Sequence, residues 1–134
     1  MARKTEAYLD TSALIAFLDR SDSYHPLFAR LFTSPPPLVT SALVIAEGHG
    51  WFLRRYDARR AVQFLAFIGE LPNLNVIPFD SIAITHATAM VQRYHDQKLT
   101  LADAHGLAIM TGRRTAACWS TDRHLSLSGV PLVV

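Results

Sequence analysis

The 134-residue sequence holds a single cysteine, Cys118, so no internal disulfide can form. A reducing cytoplasm is the expected compartment. No stretch approaches the ~18 consecutive apolar residues of a membrane span. Residues 1–6 lack the apolar run of a secretory leader, so none is expected. Repeats, low-complexity tracts and blocks of like charge are absent. The only linker-like stretch is Ser34-Pro35-Pro36-Pro37, which leaves one domain over residues 1–134. Histidine pairs at metal-binding helical spacing are also missing, which argues against zinc. Lysine is scarce, since eleven of the 13 basic residues are arginine. Set against 11 acids, they give a net charge of +2, which excludes only a histone-like mode of nucleic-acid binding.

What is present suits one packed core: 50% of residues are hydrophobic and 18% charged, unlike a disordered chain. Short apolar runs at Ala7-Tyr8-Leu9, Leu38-Val39, residues 74–79 and residues 116–120 read as strands, with a possible fifth at residues 131–134. Helical periodicity covers residues 12–19 and 22–33. Further helices are expected from a cap at Thr40 or Ser41 to Arg55, from Asp57 to Gly69, from Asp80 or Ser81 to His95, and from Thr100 to Gly112. Alternating strands and helices imply an α/β fold with a parallel sheet covered on both faces. In such sheets ligands sit beyond the carboxyl ends of the strands.

Four acids draw notice against that frame. Asp10 directly follows the first strand and Asp122 the fourth, which places both at one sheet edge. Each reads equally as a helix or turn cap. Asp103 has capping-box spacing from Thr100. Glu47 lies mid-helix, four residues from both Leu43 and Trp51, so it is expected within an apolar stripe that would need to pair it or bind it to metal. Gly48 and Gly50 each cost that helix ~1 kcal/mol of propensity, which suits either close packing of another chain or an early helix end. The four acids share one functional explanation. Clustered carboxylates repel unless cations are present, and hard oxygen donors select Mg²⁺ or Mn²⁺. Such a site activates water and neutralises charge on a phosphodiester. The pairs Glu47-x-His49, Asp103-x-His105 and Asp122-x-His124 would diverge on a helix, so a shared metal is not expected there, although His124 lies beside the acidic edge.

The segments Tyr8-Leu9-Asp10-Thr11-Ser12-Ala13-Leu14-Ile15, Val39 to Glu47, Leu99 to Ala104 and Ser120-Thr121-Asp122-Arg123-His124 together resemble the PIN-domain ribonucleases, in particular the VapC-type toxins of toxin–antitoxin modules. The resemblance spans nearly the whole chain and keeps all four acids in order. It implies a three-layer α/β/α sandwich with a mostly parallel central sheet of four to five strands. It also implies that Asp10, Glu47, Asp103 and Asp122 converge on Mg²⁺ or Mn²⁺. Asp10 and Asp103 match the direct metal ligands, and Glu47 and Asp122 complete the acidic pocket. Thr11, Ser12 and Thr121 match positions that orient the site. The implied partners are an antitoxin protein laid over the groove and a second copy of the chain, with Trp51, Phe52, Phe64 and Phe67 available for either surface or for the core. Departures from the pattern are Gly48-His49-Gly50, where bulkier apolar residues are expected, and Leu125, where many relatives carry an aromatic.

The resulting expectation is a metal-dependent endoribonuclease acting on single-stranded or loop RNA, whose bases can splay into a pocket. Arg54, Arg55, Arg113 and Arg114 are candidates for holding the RNA backbone. With four acids gathered around metal, seven acids remain against 13 basic residues, a basic surface. The alternative is a PIN-like RNA- or protein-binding module in RNA processing, with weak or no catalysis. A haloacid-dehalogenase-type phosphatase would need a second Asp where Ser12 stands. A phosphoacceptor receiver would need paired acids near the first strand and a Lys after its last strands, whereas Lys98 precedes a helix.

Overall fold

A computed structural model describes residues 5–134; the leader expectation falls largely on residues 1–4, outside the described residues. In chain order the elements are β1 (Ala7–Leu9), α1 (Thr11–Leu18), α2 (His25–Leu31), β2 (Leu38–Ser41), α3 (Ala42–Arg55), α4 (Ala58–Glu70), β3 (Leu74–Ile77), α5 (Ser81–Arg93), α6 (Leu101–Arg113) and β4 (Ala117–Trp119). A 3₁₀ turn over Arg123–Ser128 follows. The strands form one parallel sheet in the order β3-β2-β1-β4. Because the chain steps from β1 to β2 to β3 and then returns to the far side of β1, the order reverses between β1 and β4. Right-handed crossovers then place α1 to α4 on one face and α5 and α6 on the other. The expected α/β sandwich is therefore present.

The local signals work through identifiable bonds. Ser41, Asp57 and Asp80 accept from the backbone amides of Leu43, Arg60 and Ala83, and so start α3, α4 and α5. Thr100 and Asp103 make the expected reciprocal capping box on α6. The second helix begins at His25 rather than at residue 22, because the Asp22 side chain turns the chain by accepting from the Tyr24 amide at 2.8 Å. The possible fifth strand reduces to one bridge, Cys118 to Leu132. Pro131 has no N–H for a longer ladder.

The core gathers Tyr8, Leu9, Leu14, Phe28, Leu38, Val39, Val44, Phe52, Phe64, Leu107 and Met110. Phe52 and Phe64 are buried, whereas Trp51 and Phe67 are half-buried against the core. Two glycines set helix approaches. Gly48 lies directly beneath the Phe64 ring, where a methyl group would collide, so α3 and α4 come into close contact. The helix neither ends nor bends out there; it runs on to Arg55. Gly106 lies against Tyr8, whose Oη would sit 2.7 Å from an added Cβ. That approach draws α6 onto β1 and carries Asp103, one turn earlier, towards the end of β1.

Replacing Gly48 with alanine is expected to destabilise the protein by about 1–3 kcal/mol through overpacking, outweighing the ~1 kcal/mol gain in helix propensity. Urea unfolding measures the difference; an unchanged midpoint would mean that Phe64 steps aside without loss.

Candidate active site

The register of the two central strands builds the site. Leu9 pairs with Trp119, so Asp10 and Ser120 emerge side by side at the carboxyl edge, where the strand order reverses. The Asp10 amide donates to the Trp119 carbonyl at 3.1 Å. Its carboxylate is buried and stands at the N-cap position of α1, yet makes no side-chain cap bond. Instead Asp10 Oδ2 accepts from Ser120 Oγ at 2.8 Å and Ser12 Oγ at 2.9 Å. Those hydroxyls are held in turn by backbone donors, Thr121 N to Ser12 Oγ at 3.0 Å and Asp122 N to Ser120 Oγ at 2.8 Å. Thr121 thus reaches this network through its amide. Ser120 carries as much of the network as Ser12; its signal in the sequence was its place at the end of a strand paired with β1.

Glu47 enters from α3 and Asp103 from α6, one from each face of the sheet. Thr11 Oγ1 donates to Glu47 Oε1 at 3.1 Å. Glu47 is exposed at the cleft rather than held in an apolar stripe, which corrects the expectation: four residues along a helix shares a side, but that side here opens at the sheet edge. Asp122 caps the 3₁₀ turn, accepting from the His124 amide at 2.9 Å. Asp122 is the extended cap residue and not part of the turn, so the divergence of residues two apart within a helix does not separate it from His124. His124 Nδ1 lies 3.3 Å from Asp122 Oδ1 and 3.9 Å from Asp103 Oδ2. Asp103, Asp122 and His124 each offer a ligand atom within 4.8 Å of the others. Asp10 is not in that trio, its Oδ2 being taken by the two serines.

Electrostatics ties all four acids together. Burial raises the pKa of Asp10, the serine bonds oppose that rise, and the charge of Asp103 adds to it. Partial desolvation raises Glu47, with Asp10, Asp103 and Asp122 adding to it against the Thr11 bond. Desolvation likewise raises Asp103; Asp122 adds to this, while Thr100 and His124 oppose it. A cluster whose members resist ionising together is suited to a divalent cation, and its donors are carboxylate oxygens with one imidazole.

Behind the acids, Ser41 Oγ and His105 Nδ1 are 2.6 Å apart and buried, joining the start of α3 to α6. Burial lowers the His105 pKa, which favours the neutral ring. The arginine candidates separate. Arg113 makes a two-point ion pair with Glu6, at 2.9 Å through both Nε and Nη2, at the opposite end of β1 from the acids. Arg114 follows as the exposed left-handed cap of α6 at that same far end. Arg54 and Arg55 are exposed at the end of α3.

Residues 7–127 match the PIN domain family, and the chain belongs to it. It is 30% identical over 120 residues to Ribonuclease VapC26 of Mycobacterium tuberculosis, covering 86% of this chain and 85% of that protein. The fold also matches the crystal structure of M. tuberculosis VapC20, a sarcin–ricin loop cleaving toxin, with a TM-score of 0.83 and 25% identity over 92% of this chain and 95% of that one. A toxin–antitoxin complex from Klebsiella pneumoniae shares the fold at 22% identity, with a TM-score of 0.62 and 96% of each chain covered.

The raised carboxylate pKa values carry a definite sign. Between the ordinary carboxylate range and the raised values, the folded protein binds more protons than the unfolded chain, so this contribution to stability falls as pH rises through that window. In EDTA, Asp103→Asn is therefore expected to gain stability relative to the unmodified protein as pH rises from weakly acidic to neutral. Parallel urea titrations across that range measure the gap, and a gap independent of pH would contradict the coupling.

Proposed function

We propose that the protein is a metal-dependent endoribonuclease, the toxin of a toxin–antitoxin pair, with residues 1–134 acting as a single nuclease domain in the cytoplasm. The observation that carries the reading is the convergence of Asp10, Glu47, Asp103 and Asp122 at the reversal of the sheet, in a chain of the PIN family. The naming of similar proteins as ribonucleases and toxins supports it.

Asp10 and Asp103 are the carboxylates that would hold Mg²⁺ or Mn²⁺, with Asp122 and His124 close enough to Asp103 to complete the set. When bound, the cation supplies a lowered water pKa and neutralisation of the charge that builds on the phosphodiester. Ser12 and Ser120 fix the Asp10 carboxylate and Thr11 fixes Glu47, so the acids need little rearrangement on binding. Glu47 is the candidate general base: its Oε1 is held by Thr11, the carboxylate is exposed to the cleft, and its raised pKa makes it a better proton acceptor. As the water oxygen bonds to phosphorus and the bond to the leaving ribose oxygen breaks, Glu47 takes up the proton released by the water, and the departing oxygen gains a proton from solvent at the exposed cleft.

The substrate of this reading is single-stranded or loop RNA. The partners are an antitoxin protein and a second copy of the chain. Exposed Val62 and Leu65 on α4, and Ile82 and Ile84 on α5, offer apolar surface for them.

Asp10→Asn is expected to lower Mn²⁺-dependent RNA cleavage by at least about 100-fold. It is also expected to diminish the thermal stabilisation that Mn²⁺ gives the unmodified protein. Cleavage assays and thermal melts with and without Mn²⁺ test both, with circular dichroism to confirm folding. Unchanged cleavage by the folded variant would sink the site assignment.

A further inference from the structure

A recess of about 880 Å³ opens at the far ends of α1 and α3, away from the carboxylates. Arg20, Arg55, Arg59 and Arg60 line it, together with Tyr56, Asp19 and Asp57. Both acids are engaged internally. Asp19 accepts from the Ser21 hydroxyl and amide at 2.6 and 3.0 Å, and Asp57 accepts from the Arg60 amide at 2.8 Å as the cap of α4. Among the described residues none of the four arginines forms a close ion pair, although the charge of Arg55 acts on Asp19 across the recess. Arg60 and Arg55 lie over the Tyr56 ring, at 4.3 and 5.1 Å from its centroid, and Arg60 Nη2 donates to the Leu18 carbonyl at 3.3 Å. Two guanidiniums are thus fixed, while Arg20 and Arg59 are exposed.

We propose that this arginine recess is a second binding site for RNA, which holds a phosphodiester backbone flanking the bond cut at the carboxylates. The proposal rests on the ribonuclease reading of the carboxylate cleft. Guanidiniums match phosphate oxygens in fork geometry. They are spread around an open trough rather than converging in an enclosed pocket, which suits an extended polyanion better than a small phosphate ester. The position fits as well. Both α1 and α3 start at the carboxyl edge of the sheet and end at the recess. Glu47 and Arg55 lie eight residues apart on α3, or about 12 Å along its axis, a span that a few nucleotides bridge. An acidic cleft repels RNA, so attraction must come from elsewhere on the surface, and this recess supplies it.

The test is the double variant Arg20→Gln/Arg59→Gln, which removes two exposed charges outside the carboxylate site. Binding of a long fluorescent single-stranded RNA is measured by anisotropy in EDTA across a salt series. The double variant is expected to bind about tenfold more weakly, and the slope of log affinity against log salt is expected to shrink by about 1.4. With Mn²⁺, KM for the long RNA should rise, while kcat on a short oligonucleotide confined to the cleft should not change. Arg20→Lys/Arg59→Lys should restore most of the binding. Unaltered affinity and salt slope would overturn the proposal. So would loss of binding to poly-glutamate with RNA binding intact, which would point to an acidic protein segment as the occupant. If the unmodified protein cleaves no RNA at all, the ribonuclease reading fails, yet the anisotropy series still judges the recess.

Discussion

The Asp10 carboxylate lies where water scarcely reaches, and its charge is tolerated because two serine hydroxyls point at it. Those hydroxyls are aimed by the backbone amides of Thr121 and Asp122, which stand where they do because Leu9 and Trp119 are in register. A one-residue slip between β1 and β4 would turn Ser120 away and leave a buried negative charge uncompensated, a far larger penalty than the loss of one ladder bond. The remaining acids are arranged around this fixed point. Glu47 and Asp103 arrive on helices from opposite faces, and the buried Ser41–His105 contact locks those helices to each other. The geometry of the carboxylate site and the sheet register are thereby two aspects of one constraint.

Much of this arrangement was legible in the residues themselves. Asp57, Asp80 and Thr100 announce helix starts because caps act over three residues, and the apolar runs mark strands because a sheet covered on both faces has no polar side. Asp10 and Asp122 were placed correctly at one edge by following strands in sequence order. The purpose of Gly48 was not legible, since nothing local says that Phe64, sixteen residues later, will lie on top of it. The partner of Arg113 is Glu6, more than a hundred residues away, and an arginine doublet looks the same whether it faces solvent or an ion pair. His124 was placed beside the acidic edge, but its approach to Asp122 was missed because a helical period was applied to a pair whose acid is the extended cap outside the turn.

The surface divides its charges between opposite ends of the α1–α3 pair. The acids collect where the helices begin, and exposed arginines collect where they finish, around Arg20, Arg55, Arg59 and Arg60. Helix dipoles favour Asp10 at the start of α1 and Arg55 at the end of α3, whereas Arg59 and Arg60 lie in the first turn of α4, where the dipole opposes them. A net charge of +2 therefore conceals a strong internal separation.

The bond between Ser120 and Asp10 also joins residues 110 positions apart in the sequence. Contacts of such separation form after local ones, because the intervening chain must first be closed. During synthesis β1, β2 and β3 are made before β4, and until β4 docks neither Ser120 nor Asp122 is present beside Asp10. The sheet order makes assembly of the site wait for β4, a sequence of events that arises from topology.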